Sequence, residues 1–181
     1  MIYNGNHASL KTENHSRTFP WNIATAFEID MAFSADEIAT MLVEYEKDYA
    51  TGMDVVAVAK ELYTYTSGYP FMVSRLCQII HDRIDKKWDI HGVRSAVTAL
   101  LREDNQLFKD MSKNLENHED LYHLMYDVLI LGRRRSFSYD NPTIGMGYQY
   151  GYIKYDRRYS VVIFNKIFEM RISNYFVTKN E

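Results

Sequence analysis

The chain has 181 residues, 46% of them hydrophobic, and a single cysteine, Cys77. That is enough for one domain or two small ones with a real core, and arithmetic excludes a disulfide framework. A formal net charge of −3 weighs against a protein that holds nucleic acid chiefly through its phosphates.

Residues 1–20 are polar and aperiodic and read as a flexible leader. They lack the basic-then-apolar order of a signal peptide, and no apolar run in the chain approaches the ~20 residues needed to cross a bilayer, so the chain reads as cytoplasmic with no membrane partner. Residues 26–31, Ala-Phe-Glu-Ile-Asp-Met, alternate apolar and polar as a strand does. One short strand is not stable alone and needs partners. Ser34 and Glu37 form a capping box, which predicts a helix over 35–49 with Ile38, Met41, Leu42 and Tyr45 on its inner face. Asp54 caps a second helix, 55–66, with Val55, Val58, Ala59, Leu62 and Tyr63 inward, and Gly68 punctuates its end. Pro70 sits in the first turn of a third helix reaching about residue 87, where its missing N–H costs nothing.

A break at 89–92 precedes a helix over 93–103, continued after a kink at Asp104-Asn105 through Leu107, Phe108 and Met111. The next helix, 119–131, stops at Gly132. A short strand at 137–139, a short helix at 143–148, two strands at 151–155 and 160–164 around a hairpin tip at 156–159, and a last helix at 165–176 complete the chain. That order is the order of a winged-helix domain.

Two stretches carry a family resemblance. Tyr65-Thr66-Ser67-Gly68-Tyr69-Pro70-Phe71-Met72-Val73-Ser74-Arg75-Leu76-Cys77 resembles the lid-helix signature of bacterial and archaeal AAA-like ATPases related to the STAND NTPases. In that family a Gly-x-Pro module opens a lid helix and its proline packs on bound nucleotide, a role that falls on Gly68 and Pro70 here. Val161-Val162-Ile163-Phe164-Asn165-Lys166-Ile167-Phe168-Glu169 is similar to the family's end, where a winged-helix strand runs into an Asn-x-Ile-[FY]-Glu helix. The segment from Phe27 to Glu37 also resembles the stretch that follows the family's catalytic core. The resemblance implies a fold that is mainly α with a small β component. It divides the chain into a leader at 1–20, a residual strand plus three-helix lid-like bundle at 21–90, and a winged-helix domain with a C-terminal helix at 91–178.

The family's P-loop, G-x-x-x-x-G-K-[ST], is absent, and so is an apolar strand ending in paired acids. A P-loop cradles phosphates with backbone amides and one lysine, and the acids hold the Mg²⁺ and its water. The chain is therefore expected to be a fragment, a truncated product or a degenerate paralogue that does not hydrolyse ATP by itself. It has no catalytic residues and no cofactor of its own; ATP or ADP with Mg²⁺ is implied only for the intact family. Its expected partner is another protein or the missing ATPase core.

The candidate nucleotide contacts are Gly68, Pro70 and Arg75. The plain alternatives are a helix N-terminus for Gly68-Tyr69-Pro70 and a solvated helix arginine for Arg75. Arg133, Arg134 and Arg135, with Arg157 and Arg158 at the hairpin tip, could touch phosphates. The short helix that would enter a groove has no basic residue, and only Thr143 and Gln149 could read a base edge. His118 and His123 are five apart, which is wrong for metal ligands on one helix face, so no metal site is expected. Cys77 reads as inert core. The favoured function is the non-catalytic lid and winged-helix region of an AAA-like ATPase, coupling nucleotide state to a protein partner. The alternative is a stand-alone winged-helix DNA-binding regulator.

Overall fold

The Glu37 N–H donates to Ser34 Oγ at 3.2 Å and the Ser34 N–H donates to Glu37 Oε2 at 2.7 Å. This reciprocal cap starts helix α1 (Ala35–Tyr49) where the sequence places it. The computed structural model describes residues 31–179. The predicted leader and, apart from Met31, the predicted strand at 26–31 lie outside the described residues. Asp54 accepts the Ala57 N–H at 3.0 Å and caps α2 (Val55–Thr66). Pro70 is the first residue of α3 (Pro70–Arg83).

Helix α3 is shorter than predicted. Asp85 and Lys86 both take left-handed backbone, with φ of 46° and 53°, and end it without any glycine to mark the stop. Helix α4 (Ile90–Leu101) starts earlier than predicted, because Asp89 accepts the Gly92 N–H at 2.7 Å as an N-cap. Gly92 is therefore inside the helix rather than in a break. A Cβ there would lie 1.7 Å from the Lys87 carbonyl oxygen, so glycine is what lets the preceding loop fold onto the first turn.

The predicted kink at Asp104-Asn105 is a full stop. Asn105 accepts the Phe108 N–H at 3.0 Å and begins a separate α5 (Gln106–Asn117). Helices α6 (Glu119–Leu129) and α7 (Pro142–Gln149) follow. Strands β1 (Ile153–Tyr155) and β2 (Val161–Ile163) pair antiparallel with Ile153 opposite Ile163, and α8 (Lys166–Lys179) closes the fold. The strand predicted at 137–139 is reduced to one bridge, Ser136 to Ser160, flanked by Phe137 N–H to Tyr159 O at 2.7 Å and Val161 N–H to Arg135 O at 2.8 Å.

Among the described residues the fold is thus mainly α, eight helices with one small antiparallel sheet. None of these helices is long and apolar enough to cross a membrane. Helix α1 packs on α2, α3 on α4, and α8 lies against α2, α4, α5 and α6. One continuous apolar core therefore runs from Ile38 to Phe176. Two residues predicted to face it do not: Met41 is 44% and Tyr63 41% exposed. Met41 borders an open groove beside α1. Tyr63 is exposed along α2, where a phenol can keep its hydroxyl in water.

Candidate functional site

Helix α2 ends in two successive left-handed residues, Ser67 (φ 46°) and Gly68 (φ 76°). The turn is built on Thr66, which is fully buried. Its hydroxyl donates to Leu62 O at 2.8 Å and accepts the Gly68 N–H at 3.1 Å. The Phe33 N–H donates to the Gly68 carbonyl at 2.9 Å. A Cβ on Gly68 would fall 1.8 Å from the Phe33 carbonyl oxygen, so this position admits only glycine without a backbone shift.

The far side of the turn is covered from the other end of the chain. The Tyr69 ring meets Phe164 and Phe168 edge-on, with centroids 5.8 and 5.5 Å away. Asn165, 3% exposed, accepts the Phe168 N–H at 2.8 Å and points its Nδ2 at Met72 Sδ, 3.3 Å away. Lys154 of β1 donates to Ser67 Oγ at 3.1 Å, and its ammonium lies over the Phe164 ring at 5.0 Å. Phe33 therefore packs against Gly68, and Phe164 and Phe168 against Tyr69, at the turn that opens α3.

Burial decides the ionisation of this junction. It pushes the Tyr69 phenol up to about 12. It pulls the Lys154 ammonium below its ordinary value, against the opposing charge of Glu169. Pro70, the first residue of α3, is half-buried.

Arg75 faces a different way. Its guanidinium grips Glu103 with two hydrogen bonds, Nε to Oε2 at 2.9 Å and Nη2 to Oε1 at 2.6 Å, and a third goes to Gln78 at 2.6 Å. Arg83 adds a second cation to the same carboxylate at 2.9 Å. The Arg75 hydrogen bonds hold the Glu103 carboxyl below its usual range. To touch a phosphate, Arg75 has to leave this clamp. Together these groups line a shallow groove of about 480 Å³ with Phe71 and Asn105.

The five candidate arginines all lie exposed near the hairpin. Arg133 and Arg135 converge on Asp127, Arg133 at 3.0 Å. Arg134, Arg157 and Arg158 form no ion pair among the described residues. His118 and His123 do not meet over a common site: His123 lies 3.5 Å from Glu119 and the His118 ring sits near Tyr150. Among the described residues no group of three or more His, Cys, Asp or Glu side chains could hold a metal.

An aromatic groove of about 340 Å³ lies between α1 and α3, and no motif or spacing predicts it. Tyr45 donates or accepts at His81 Nδ1 over 2.6 Å, stacks on Tyr49 at 4.4 Å and leans on Trp88 at 4.7 Å. Cys77 lines it, and burial pushes its thiol up to about 12, which disfavours the thiolate. Of the groove's lining, the sequence predicts Met41, Leu42 and Tyr45 on the inner face of α1; Tyr49, His81 and Trp88 join them only in the folded chain. No protein-family model matches the chain, and neither a curated protein nor a solved structure matches it.

Proposed function

We propose that this chain is the non-catalytic lid and winged-helix region of an AAA-like ATPase, and that it couples the nucleotide state of a P-loop core to a protein partner. The observation that carries this reading is the junction at Gly68-Tyr69-Pro70. Pro70 is only half-buried and on this reading meets a nucleotide held by another body, while Tyr69, its neighbour, is wedged against Phe164 and Phe168. A push on the turn is thereby transmitted through packed rings and Lys154 to β1, β2 and α8. Such a path couples two sites only if the nucleotide binds one arrangement of the turn better than another.

The described residues fit a contributor to a nucleotide site and not a whole one. Phe33 fills the space beside Gly68, Arg75 is held by Glu103, and no lysine-bearing glycine loop is present to cradle phosphates. The ATP-binding and hydrolytic chemistry belongs, on this reading, to the core.

The test is affinity capture from the source organism's extract on the immobilised chain, with ADP in one arm and a non-hydrolysable ATP analogue in the other. Retention of a P-loop ATPase in one nucleotide state, lost with Pro70→Ser, supports the coupling. Capture of no P-loop protein, or equal capture in both states, sinks it.

A second reading, a stand-alone DNA-binding regulator, is favoured by the exposed Arg157 and Arg158. It is opposed by α7, which has no basic side chain and buries Ile144 and Gly147. Salt-sensitive duplex binding lost on changing both arginines would establish it in place of the first.

A further inference from the structure

We propose that the face built by the 133–139 segment and the β1–β2 hairpin is a docking surface for an acidic segment of a partner protein. The inference rests on the coupling reading for its biological role, since it names the surface and the chemistry of the partner that reading requires. The binding itself is a property of this face alone.

Two independent features coincide there. The first is a continuous string of aromatic rings. Tyr159 stacks on Tyr155 at 5.4 Å with the planes 4° apart; Tyr155 meets Phe137 at 5.0 Å; Phe137 meets Tyr139 at 4.9 Å. The outer members are far from buried, Tyr159 at 68% and Tyr139 at 63% exposed. Stacking against one another orders these side chains before any partner arrives, which lowers the entropy lost on binding.

The second feature is charge. Residues 127–159 contain Arg133, Arg134, Arg135, Lys154, Arg157 and Arg158 against only Asp127, Asp140 and Asp156, a net +3 inside a chain of net −3. Two of the three carboxylates are already engaged. Asp127 takes Arg133 and Arg135, and Asp156 turns its Oδ1 to the N–H groups of Arg158 and Ser160 at 2.8 and 2.9 Å. The guanidinium groups of Arg134, Arg157 and Arg158 are left with no ion pair among the described residues, and each offers a planar fork for a carboxylate.

The chemistry favours a protein over a nucleic acid. Tyrosine and arginine are the residues that anchor protein interfaces. The one lysine of the segment is turned inward to Ser67. Carboxylates interrupt the cationic run, and the remainder of the chain carries net negative charge that repels a phosphate backbone.

The experiment uses the full chain, without nucleotide, titrated into a fluorescein-labelled 16-residue peptide of alternating Glu and Tyr and, separately, into a labelled oligothymidine of equal length. The expected result is peptide binding that weakens with salt and falls about tenfold or more in the Arg157→Ala/Arg158→Ala variant and in Tyr159→Ser, with melting temperatures unchanged. Three outcomes overturn the proposal: no peptide binding, peptide binding indifferent to both variants, or tighter binding to oligothymidine than to the peptide. Because no nucleotide is present, this result is separable from failure of the nucleotide-dependent capture, which bears on the coupling reading alone.

Discussion

The Phe33 N–H is bonded to the Gly68 carbonyl at 2.9 Å, and a Cβ on Gly68 would lie 1.8 Å from the Phe33 carbonyl oxygen. The turn that opens α3 is thus held against the segment preceding α1 by a backbone contact with no room for a side chain. Gly68→Ala is expected to cost roughly 3–5 kcal/mol, the sum of left-handed strain and overpacking. Gly52 has a similar φ of 74° but nothing within 4 Å of its Cβ position, so Gly52→Ala should cost only about 1 kcal/mol. Urea unfolding of the two variants separates close approach from conformational freedom; equal costs would contradict the packing described.

Asn165 holds the other half of the junction. Asn165→Ala removes the acceptor of the Phe168 N–H in a site that excludes water, and is expected to cost about 1–3 kcal/mol. Because α8 packs on α2, the loss should also loosen the Tyr69 turn. Hydrogen exchange at residues 67–72 would register it, and unchanged exchange there would argue against a mechanical link.

Much of the helical frame was legible because its signals are local. Ser34 with Glu37, Asp54 and Pro70 each satisfy or excuse orphan amides within one turn, and each starts a helix where expected. Boundaries failed where the deciding contact was not local. Helix α3 ends at Arg83, and the chain then turns through two left-handed residues, Asp85, a type that tolerates that conformation, and Lys86, a type that rarely adopts it. Gly92 looked like a break and is instead a site of close approach to Lys87. The segment at 137–139 alternates like a strand, yet it forms a single bridge, Ser136 to Ser160, and no ladder. Within the candidate site, Gly68 and Pro70 were visible as a motif. The covering of Tyr69 by Phe164 and Phe168, and the Lys154 contact to Ser67, join residues about 90 positions apart and leave no periodic trace.

The Arg75–Glu103 pair sets an acid response. Glu103 is held below its ordinary 4.5 by the Arg75 hydrogen bonds, against the opposing effect of burial. Its stabilisation is complete above the unfolded value and is lost as pH falls through the lower folded value. Glu103→Gln should therefore flatten the decline of stability below about pH 4.5. A double-mutant cycle with Arg75→Ala should return a coupling of roughly 1–2 kcal/mol at neutral pH. A coupling near zero would mean Arg75 is free to serve elsewhere.

Tyr69 sets an alkaline response. Its folded value, raised to about 12 from 10.0 by burial, means the folded state keeps a proton the unfolded chain has lost. The associated stability is fully present below pH 10 and declines as pH rises toward 12, by roughly 2–3 kcal/mol in all. Tyr69→Phe should reduce that decline while leaving the ring packing on Phe164 and Phe168 in place. An alkaline limb identical to the parent would show that Tyr69 is not buried as described.

The most direct test of the central claim is a titration of the purified chain with a fluorescent ATP analogue and Mg²⁺, carried to roughly millimolar protein, where binding worth only ~4 kcal/mol is detected. A lid and winged-helix region that borrows its phosphate cradle from another body should show no saturable binding across that range. Micromolar binding abolished by Pro70→Ser would contradict the account, because the chain would then hold nucleotide on its own without a P-loop.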